Sequence, residues 1–322
     1  MWKMSTDPAP EAPALQRQAL SGPAMGARWS ALCFADGGMD TAALTRRLQA
    51  AVDRVERQMS PFRPESDLER LNAAPPGTWV ACPRELLRVL AVALEIGRLS
   101  DGAFHIGVGD LVQAWGFGGG PRQPDRARAA ALAGQPALAP LKTLQLDPAG
   151  GRARRLAPLR LDLCGIAKGF GVDELARVMA EAGLSSWLVG IDGELRARGL
   201  KPDGRPWSVA HEAPTAGRRD ILGVLELSGA AVATSGGYRR QVEAAGRRLS
   251  HTMDPARGAP LDNDLAAVTV LGDTCMAADA WATALLVAGA QDGPALARRL
   301  GLAALFVRTD GAVVSTLPGA AA

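Results

Sequence analysis

Residues 161–174, which read LDLCGIAKGFGVDE, bring an acid, a glycine-containing turn and a lysine into one short segment. An apolar run typical of a β-strand leads to Asp162, and Lys168, one of only four lysines in the chain, stands where helical periodicity begins. The first turn of a helix favours anions because its backbone N–H groups and dipole attract negative charge. The segment therefore predicts a phosphate site at a strand-to-helix corner. The alternative interpretation of the same residues is a helix N-terminus whose lysine side chain faces the solvent.

A second segment, SHTMDP at residues 250–255, places His251 and Asp254 three residues apart, just before a proline-glycine turn. An imidazole and a carboxylate held by a turn are suited to general acid–base chemistry. The alternative is a strand end in which Asp254 forms an Asx turn and His251 only fills space.

A third segment is the helix predicted over residues 276–288, in which Asp279 and Thr283 are four residues apart and share one face. Carboxylate and hydroxyl oxygens are hard ligands of the kind that Mg²⁺ takes, together with water or substrate oxygens. Asp279 as a helix cap and Thr283 bonded back to a carbonyl is the alternative. A buried acid without a partner on so apolar a helix would be costly, which favours the ligand interpretation.

Composition limits the class of protein. The 322 residues are 48% hydrophobic, enough for one large core or two fused lobes. The net charge of +3 and the few aromatic residues, with Tyr238 the single tyrosine, predict no nucleic-acid partner. The four cysteines form no CxxC pair, so neither a zinc site nor a disulfide framework is expected.

The N-terminal residues contain acids and prolines where a secretory signal needs an apolar run, so the sequence as written predicts a cytoplasmic protein, or an exported one if the start is incomplete. No stretch is apolar enough to predict a membrane span. We expect residues 1–24 to form a disordered tail, residues 25–318 one catalytic domain, and residues 319–322 a frayed end.

Hydrophobic periodicity predicts helices and strands in mixed order. The predicted helices are 41–59, 85–99, 123–134, 171–182 and 276–288. The predicted strands are 27–34, 143–146, 152–156, 187–191, 194–199, 207–211 and 221–227. Consecutive strands without intervening helices imply antiparallel pairing. The fold class is therefore α+β, with mixed, largely antiparallel sheets packed against long helices, an arrangement compatible with a two-lobed catalytic unit.

With these segments together, the chain resembles the ApbE family of flavin transferases from Met25 to about Phe306. The resemblance rests on an ordered series of motifs: Met25-Gly26, MSPFRPESDLERLN at 59–72, DGAF and VGDLVQAWGFG within 101–118, LDLCGIAKGFGVD at 161–173, Asp192-Gly193-Glu194, ATSGGY at 233–238, SHTMDP at 250–255 and ADAWATA at 278–284.

The resemblance implies that FAD is the substrate and that FMN is transferred to a Ser or Thr hydroxyl of an acceptor flavoprotein, with release of AMP. It implies a Mg²⁺ ion held by Asp279, Thr283 and a backbone carbonyl near Gly165, and it puts Lys168 beside the FAD. His251 is the expected base for the acceptor hydroxyl. The further FAD contacts carried over by motif position are Met25, Phe62, Ala103, Phe104, His105, Asp162 and Met253. For several of these, packing in the core is the alternative.

Three positions depart from the family pattern. His105 stands where an acid is usual, Cys164 replaces a glycine in LDLGGIAKG, and Arg257 replaces a threonine. A side chain at Cys164 changes a backbone expected to lie close to phosphate or metal. Two other functions therefore stay open: a Mg²⁺-dependent FAD pyrophosphatase that uses water as the nucleophile, and a non-catalytic FAD-binding accessory protein.

Overall fold

The computed structural model describes residues 15–119, 123–214, 220–237, 241–244 and 247–318. Its helices are α1 Thr41–Met59, α2 Asp67–Ala73, α3 Arg84–Leu99, α4 Gly109–Ala114, α5 Arg126–Leu132, α6 Pro140–Thr143, α7 Ala167–Glu181 and α8 Cys275–Leu300. Its strands are β1 Gln16–Ala24, β2 Ala27–Ala35, β3 Val80–Ala81, β4 Leu144–Asp147, β5 Arg152–Arg155, β6 Trp187–Ile191, β7 Glu194–Arg198, β8 Trp207–Glu212, β9 Ile221–Leu227, β10 Ala231–Gly236, β11 Gln241–Ala244, β12 Arg247–Ser250, β13 Met253–Asp254, β14 Ala259–Pro260, β15 Leu265–Gly272, β16 Ala303–Arg308 and β17 Val313–Ser315.

An eight-stranded sheet organises the described chain, in the order β1-β2-β6-β7-β10-β15-β16-β17. Every neighbouring pair in it is antiparallel. Long helices pack against this sheet, which confirms the predicted α+β class. In the described part of the chain, no helix is both long and apolar enough to cross a membrane.

Helix α1 shows how local pattern determines an element. Its buried residues include Leu44, Leu48, Val52 and Val55, which recur at helical spacing and form one apolar stripe. The side chain of Asp40 caps its first turn by accepting a hydrogen bond from the backbone N–H of residue 43 at 2.8 Å. The helix has the bounds that the sequence predicts.

Different elements pack on the two faces of the sheet, because successive side chains along each strand point to opposite faces. Val189 and Ile191 of β6 are fully buried in a core shared with α1 and α7. On the opposite face, the β8–β9 hairpin brings Trp207 and Leu227 against Val232 of β10. The helices therefore cover one face of the sheet. At one end of that face, α7 and α8 can present polar side chains.

Asp173 of α7 fixes the start of α8. Its carboxylate accepts hydrogen bonds from the backbone N–H groups of Cys275 and Met276, each at 3.0 Å, and pairs with Arg196 at 2.7 Å. Burial raises the pKa of Asp173, and these donors partly offset that rise. The first turn of α8 is thus tied to α7, and this contact sets the position of Asp279 one turn later.

The expected tail over residues 1–24 is wrong for Gln16–Ala24, which form β1 and pair with β2 along their whole length. Residues 20, 22 and 24 alternate inward, and Pro23 is tolerated because β1 is an edge strand. Residues 1–14 and 319–322, which complete the predicted tail and frayed end, lie outside the described residues.

The corner at Asp162 also differs from the prediction. Residues 159–163 form no strand, because their backbone hydrogen bonds go to loops and to side chains. Asp162 N–H donates to Ile106 O at 2.7 Å, the Asn72 amide bonds both backbone groups of Leu161, and Arg155 donates to Leu159 O. Helix α7 begins at Ala167, four residues before the predicted start. Lys168 therefore lies inside the first helical turn.

Candidate functional site

Two hairpin turns meet at the end of the sheet where α7 begins. Met25-Gly26 joins β1 to β2 and Asp192-Gly193 joins β6 to β7, and the pairing of Trp29 with Ile191 puts both turns at the same end. Met25 and Asp192 have φ of 50° and 52°, a left-handed backbone conformation that residues other than glycine rarely adopt. Such strain is concentrated at functional sites, which makes this end of the sheet the candidate.

Lys168 reaches across to these turns from α7. Its ammonium lies 2.5 Å from Oε1 of Glu194, the first residue of β7, and 3.7 Å from Oδ2 of Asp192. Burial lowers the pKa of Lys168, but the carboxylates of Glu194, Asp279 and Asp192 outweigh that effect and hold the pKa above its ordinary value. These carboxylates therefore favour the charged form of the lysine.

Glu194 is the buried partner in this pair. Its side chain is 4% exposed, against 26% for Lys168. Burial raises the pKa of Glu194 to about 7, with Lys168 lowering it and Asp279 raising it further. Within the described residues, its second oxygen, Oε2, is buried and has no hydrogen-bond partner.

Asp279 enters the same site from α8. Its Oδ2 accepts a hydrogen bond from the backbone N–H of Gly169, the residue after Lys168, at 2.9 Å. Burial raises the pKa of this carboxyl, while Lys168 and the Gly169 N–H group lower it. The two helices touch so closely here that a side chain at Gly169 would come within 2.3 Å of the carbonyl oxygen of Cys275.

Thr283, one turn further along α8, faces the loop before α7. A Cβ atom at Gly165 would lie 3.2 Å from Thr283 Oγ1 and 3.3 Å from the ring of Phe104. Thr283 Oγ1 also shares a hydrogen bond with Ser235 Oγ at 2.9 Å. The structure thus brings together Gly165, Asp279 and Thr283, the three residues that the resemblance assigned to the metal.

The loop beneath this site contains Asp162 and Cys164. Asp162 Oδ1 accepts a hydrogen bond from Cys164 N–H at 2.8 Å, and burial raises the pKa of its carboxyl. Cys164, the residue in place of the family's glycine, is exposed, and its side chain also hydrogen-bonds to the Asp162 carboxyl. His105 lies on the neighbouring loop, where its Nδ1 accepts a hydrogen bond from Gly107 N–H at 3.2 Å, and burial lowers the pKa of its imidazole to about 4.

The other candidates differ in exposure. Ala103 is half-buried beside Phe104, whereas Phe104 and Met253 are each 4% exposed and belong to the interior. Phe62 is 52% exposed and lies against Gly119, and the nearby Phe117 ring meets the His251 ring edge-on at 6.3 Å between centroids. The loop at residues 115–119 therefore connects the surroundings of Phe62 with those of His251.

Three residues of the site, Asp192, Glu194 and Ser235, were missed as candidates from sequence. All three lie in motifs that carry the family resemblance, so the signal was present without a role attached. The partners of the last two, Lys168 and Thr283, are 26 and 48 residues away in the chain. Tyr238, the last residue of the Ser235 motif, lies outside the described residues.

The donor set fits a hard divalent cation. Asp192, Glu194 and Asp279 supply three carboxylates around the single ammonium of Lys168, so their ionised forms leave an excess of negative charge. No group of three His, Cys, Asp or Glu side chains is arranged to hold a metal in the portion of the chain that the structure covers. A cation at Asp279 would thus depend on hydroxyl, carbonyl and ligand oxygens, which suits Mg²⁺.

The fold and this site define an α+β protein with an acid–lysine centre, built between two helices at one end of an antiparallel sheet. The ApbE family model matches residues 25–306, and the chain belongs to that family. It is 35% identical over 293 residues to the FAD:protein FMN transferase of Vibrio cholerae, covering 90% of this chain and 87% of that protein. It is 33% identical to the enzyme of the same name in Escherichia coli K12, covering 91% and 84%.

Solved structures agree with this assignment. The apo form of the flavinyl transferase ApbE of Pseudomonas stutzeri superposes with a TM-score of 0.83 at 37% identity, covering 96% of this chain and 99% of that one. The ApbE protein of Thermotoga maritima gives a TM-score of 0.82 at 26% identity, covering 93% and 97%. The likeness spans nearly the whole chain.

Proposed function

We propose that this protein is a Mg²⁺-dependent FAD:protein FMN transferase, which moves FMN from FAD to a Ser or Thr hydroxyl of an acceptor protein and releases AMP. The observation that carries the proposal is the contact of Asp279 with the Gly169 backbone, because it joins the α8 acid to the α7 lysine. Membership of a family whose curated members are named for this reaction supports it.

Asp279, Thr283 and the backbone carbonyl of Gly165 would hold the Mg²⁺ ion. When bound, the ion supplies positive charge that neutralises phosphate oxygens in the transition state. Lys168 adds a second positive charge, which its carboxylate neighbours keep protonated at neutral pH. Phosphoryl transfer needs positioning and charge neutralisation more than covalent help, so this small set of groups is sufficient.

In the reaction, the acceptor hydroxyl oxygen forms a bond to the FMN-side phosphorus while the bond from that phosphorus to the AMP oxygen breaks. AMP leaves with the electron pair of the broken bond. His251 takes the hydroxyl proton, because an imidazole titrates near neutral pH and is suited to this transfer. The phosphoester left on the acceptor keeps FMN attached.

The FAD would lie along the end of the sheet. Met25, in its strained turn, and the half-buried Ala103 can contact the ligand directly, and the exposed Phe62 offers a ring for stacking. Asp162 and His105 border the same loop region and provide polar contacts. Phe104 and Met253, both buried, would shape the site from beneath.

The sharpest test combines FAD, Mg²⁺ and a candidate acceptor with the full-length protein. We expect the acceptor to gain the mass of one FMN while AMP appears in equal amount. Free FMN without labelled acceptor would instead identify a pyrophosphatase. Tight FAD binding without AMP release in the presence of any acceptor would identify a binding protein.

A further inference from the structure

The pair formed by Lys168 and Glu194 is built more tightly than an ordinary surface ion pair. The ammonium and Oε1 are 2.5 Å apart, and the glutamate side chain is 4% exposed. Glu194 is the first residue of β7, directly after the Asp192-Gly193 turn, so the hairpin fixes where its side chain starts. The carboxylate therefore holds the lysine from a rigid element.

This arrangement is not explained by stability alone. Glu194 Oε2 is buried without a hydrogen-bond partner among the described residues. A buried, half-satisfied carboxylate is costly, and apolar replacements of buried ion pairs are often as stable as the pair itself. A role in the site accounts for the cost.

Asp279 competes with Glu194 for the same cation. Lys168 is adjacent in sequence to Gly169, whose N–H group bonds Asp279, and the charges of Lys168 and Asp279 influence each other's pKa. Even so, among the described residues no ion pair within 4.0 Å joins Lys168 to Asp279, because its ammonium points to Glu194 and Asp192. If Lys168 turned to Asp279, it would neutralise the carboxylate that a metal needs.

We propose that Glu194 is a positioning residue that holds the Lys168 ammonium away from Asp279 and so keeps the Asp279 carboxylate available to a divalent cation. The proposal rests on the proposed function in one respect, that Asp279 is a metal ligand. It assigns Glu194 no contact with metal or FAD. The effect of Glu194 is to keep two positive charges, the Lys168 ammonium and the metal ion, at separate places in one site.

The test measures Mn²⁺ binding to the full-length protein in the absence of FAD. Binding is monitored through the loss of the EPR signal of free Mn²⁺, and Mg²⁺ is added as the competitor. In Glu194→Gln, the affinity should fall by about tenfold or more, because Lys168 is free to pair with Asp279. In the double variant Lys168→Met/Glu194→Gln, which removes the competing ammonium as well, affinity should return to within about threefold of the wild type.

Glu174→Gln is the matched control. Glu174, on α7, is a buried carboxylate like Glu194. It pairs with Arg54 and Arg177 away from the site, so its replacement should not change metal affinity. Thermal unfolding checks each variant. If Glu194→Gln does not fold, Glu194→Asp keeps the charge but shortens its reach, and it should weaken metal binding to a smaller extent.

Wild-type metal affinity in Glu194→Gln, or in Glu194→Asp where that variant replaces it, would overturn the proposal. So would a double variant as weak as the single one, which would make Glu194 a ligand or a purely structural group. Acceptor labelling by the wild type is measured in parallel. If the wild type labels the acceptor but Glu194→Gln has unchanged metal affinity, the transferase assignment stays intact and only the role of Glu194 is lost. A wild type that binds no Mn²⁺ would remove the metal site itself.

Discussion

Gly169→Ala tests the helix contact on which the site depends. A methyl group at this position would lie 2.3 Å from the carbonyl oxygen of Cys275 and 2.8 Å from Cβ of Asp279. The first of these atoms is backbone and cannot rotate away. Since ordinary contacts begin at 3.4 Å, α7 and α8 must separate locally by about 1 Å, and the hydrogen bond from Gly169 to Asp279 must lengthen.

Two effects on stability oppose each other. Replacing a helical glycine by alanine stabilises a helix by about 1 kcal/mol, while overpacking costs about 1–3 kcal/mol. The net loss is therefore at most about 2 kcal/mol, which lowers the melting temperature by no more than a few degrees in a domain of this size. Activity should suffer more, because a misplacement of about 1 Å in a catalytic group can reduce the rate about 100-fold.

The assay is AMP release from FAD with Mg²⁺ and acceptor, together with a thermal melt. Gly171→Ala, on the same helix, is the control for stability, because its methyl group would meet only the far ends of the Ile191 and Met25 side chains, at 2.9 and 3.0 Å, and no backbone atom. We expect its melting temperature to stay close to that of the wild type. Gly169→Ala with wild-type turnover and an unchanged melting temperature would refute the account of the α7–α8 contact.

Three further predictions concern single side chains. His251→Ala should lower kcat for FMN transfer by about 10²–10⁴-fold with little change in KM for FAD, and unchanged kcat would remove His251 as the base. Burial lowers the pKa of His105 to about 4, so the unfolded chain takes up its proton first as the pH falls. Stability should therefore fall between about pH 6.5 and pH 4 by at most about 3 kcal/mol, and denaturant titrations should show this slope reduced in His105→Gln. Cys164, exposed while the other three cysteines are buried, should react first with iodoacetamide and be protected by FAD, and equal labelling with and without FAD would place it away from the ligand.

Much of the fold could be predicted because its signals are local. The stripe of apolar residues in α1 and the continuous apolar run of β6 each lie within one element, and the local pattern is enough to find them. Strand β1 was missed because its exposed, polar residues and Pro23 are what an edge strand allows and what a tail also contains. The apolar run before Asp162 predicts a strand, and its leucines are indeed buried, but their backbone hydrogen bonds go to loops and side chains.

The candidate site was predictable where a motif specifies chemistry and not where the fold brings partners together. Asp279 and Thr283 share a helix face, so spacing alone pairs them. The pairing of Lys168 with Glu194 depends on the register of a hairpin and the packing of α7 against it, which no local pattern contains. The departures at His105 and Cys164 also acquire meaning only from burial, since one side chain is largely enclosed and the other exposed.

The most direct measurement is the intact mass of an acceptor protein after incubation with FAD and Mg²⁺, with wild-type enzyme and with Asp279→Ala. We predict that the wild type adds the mass of one FMN and releases AMP. We predict that Asp279→Ala, folded by its melting curve, does neither. An acceptor labelled equally by both proteins would contradict the central role of the α8 carboxylate, and AMP release with no labelled acceptor would contradict the transferase.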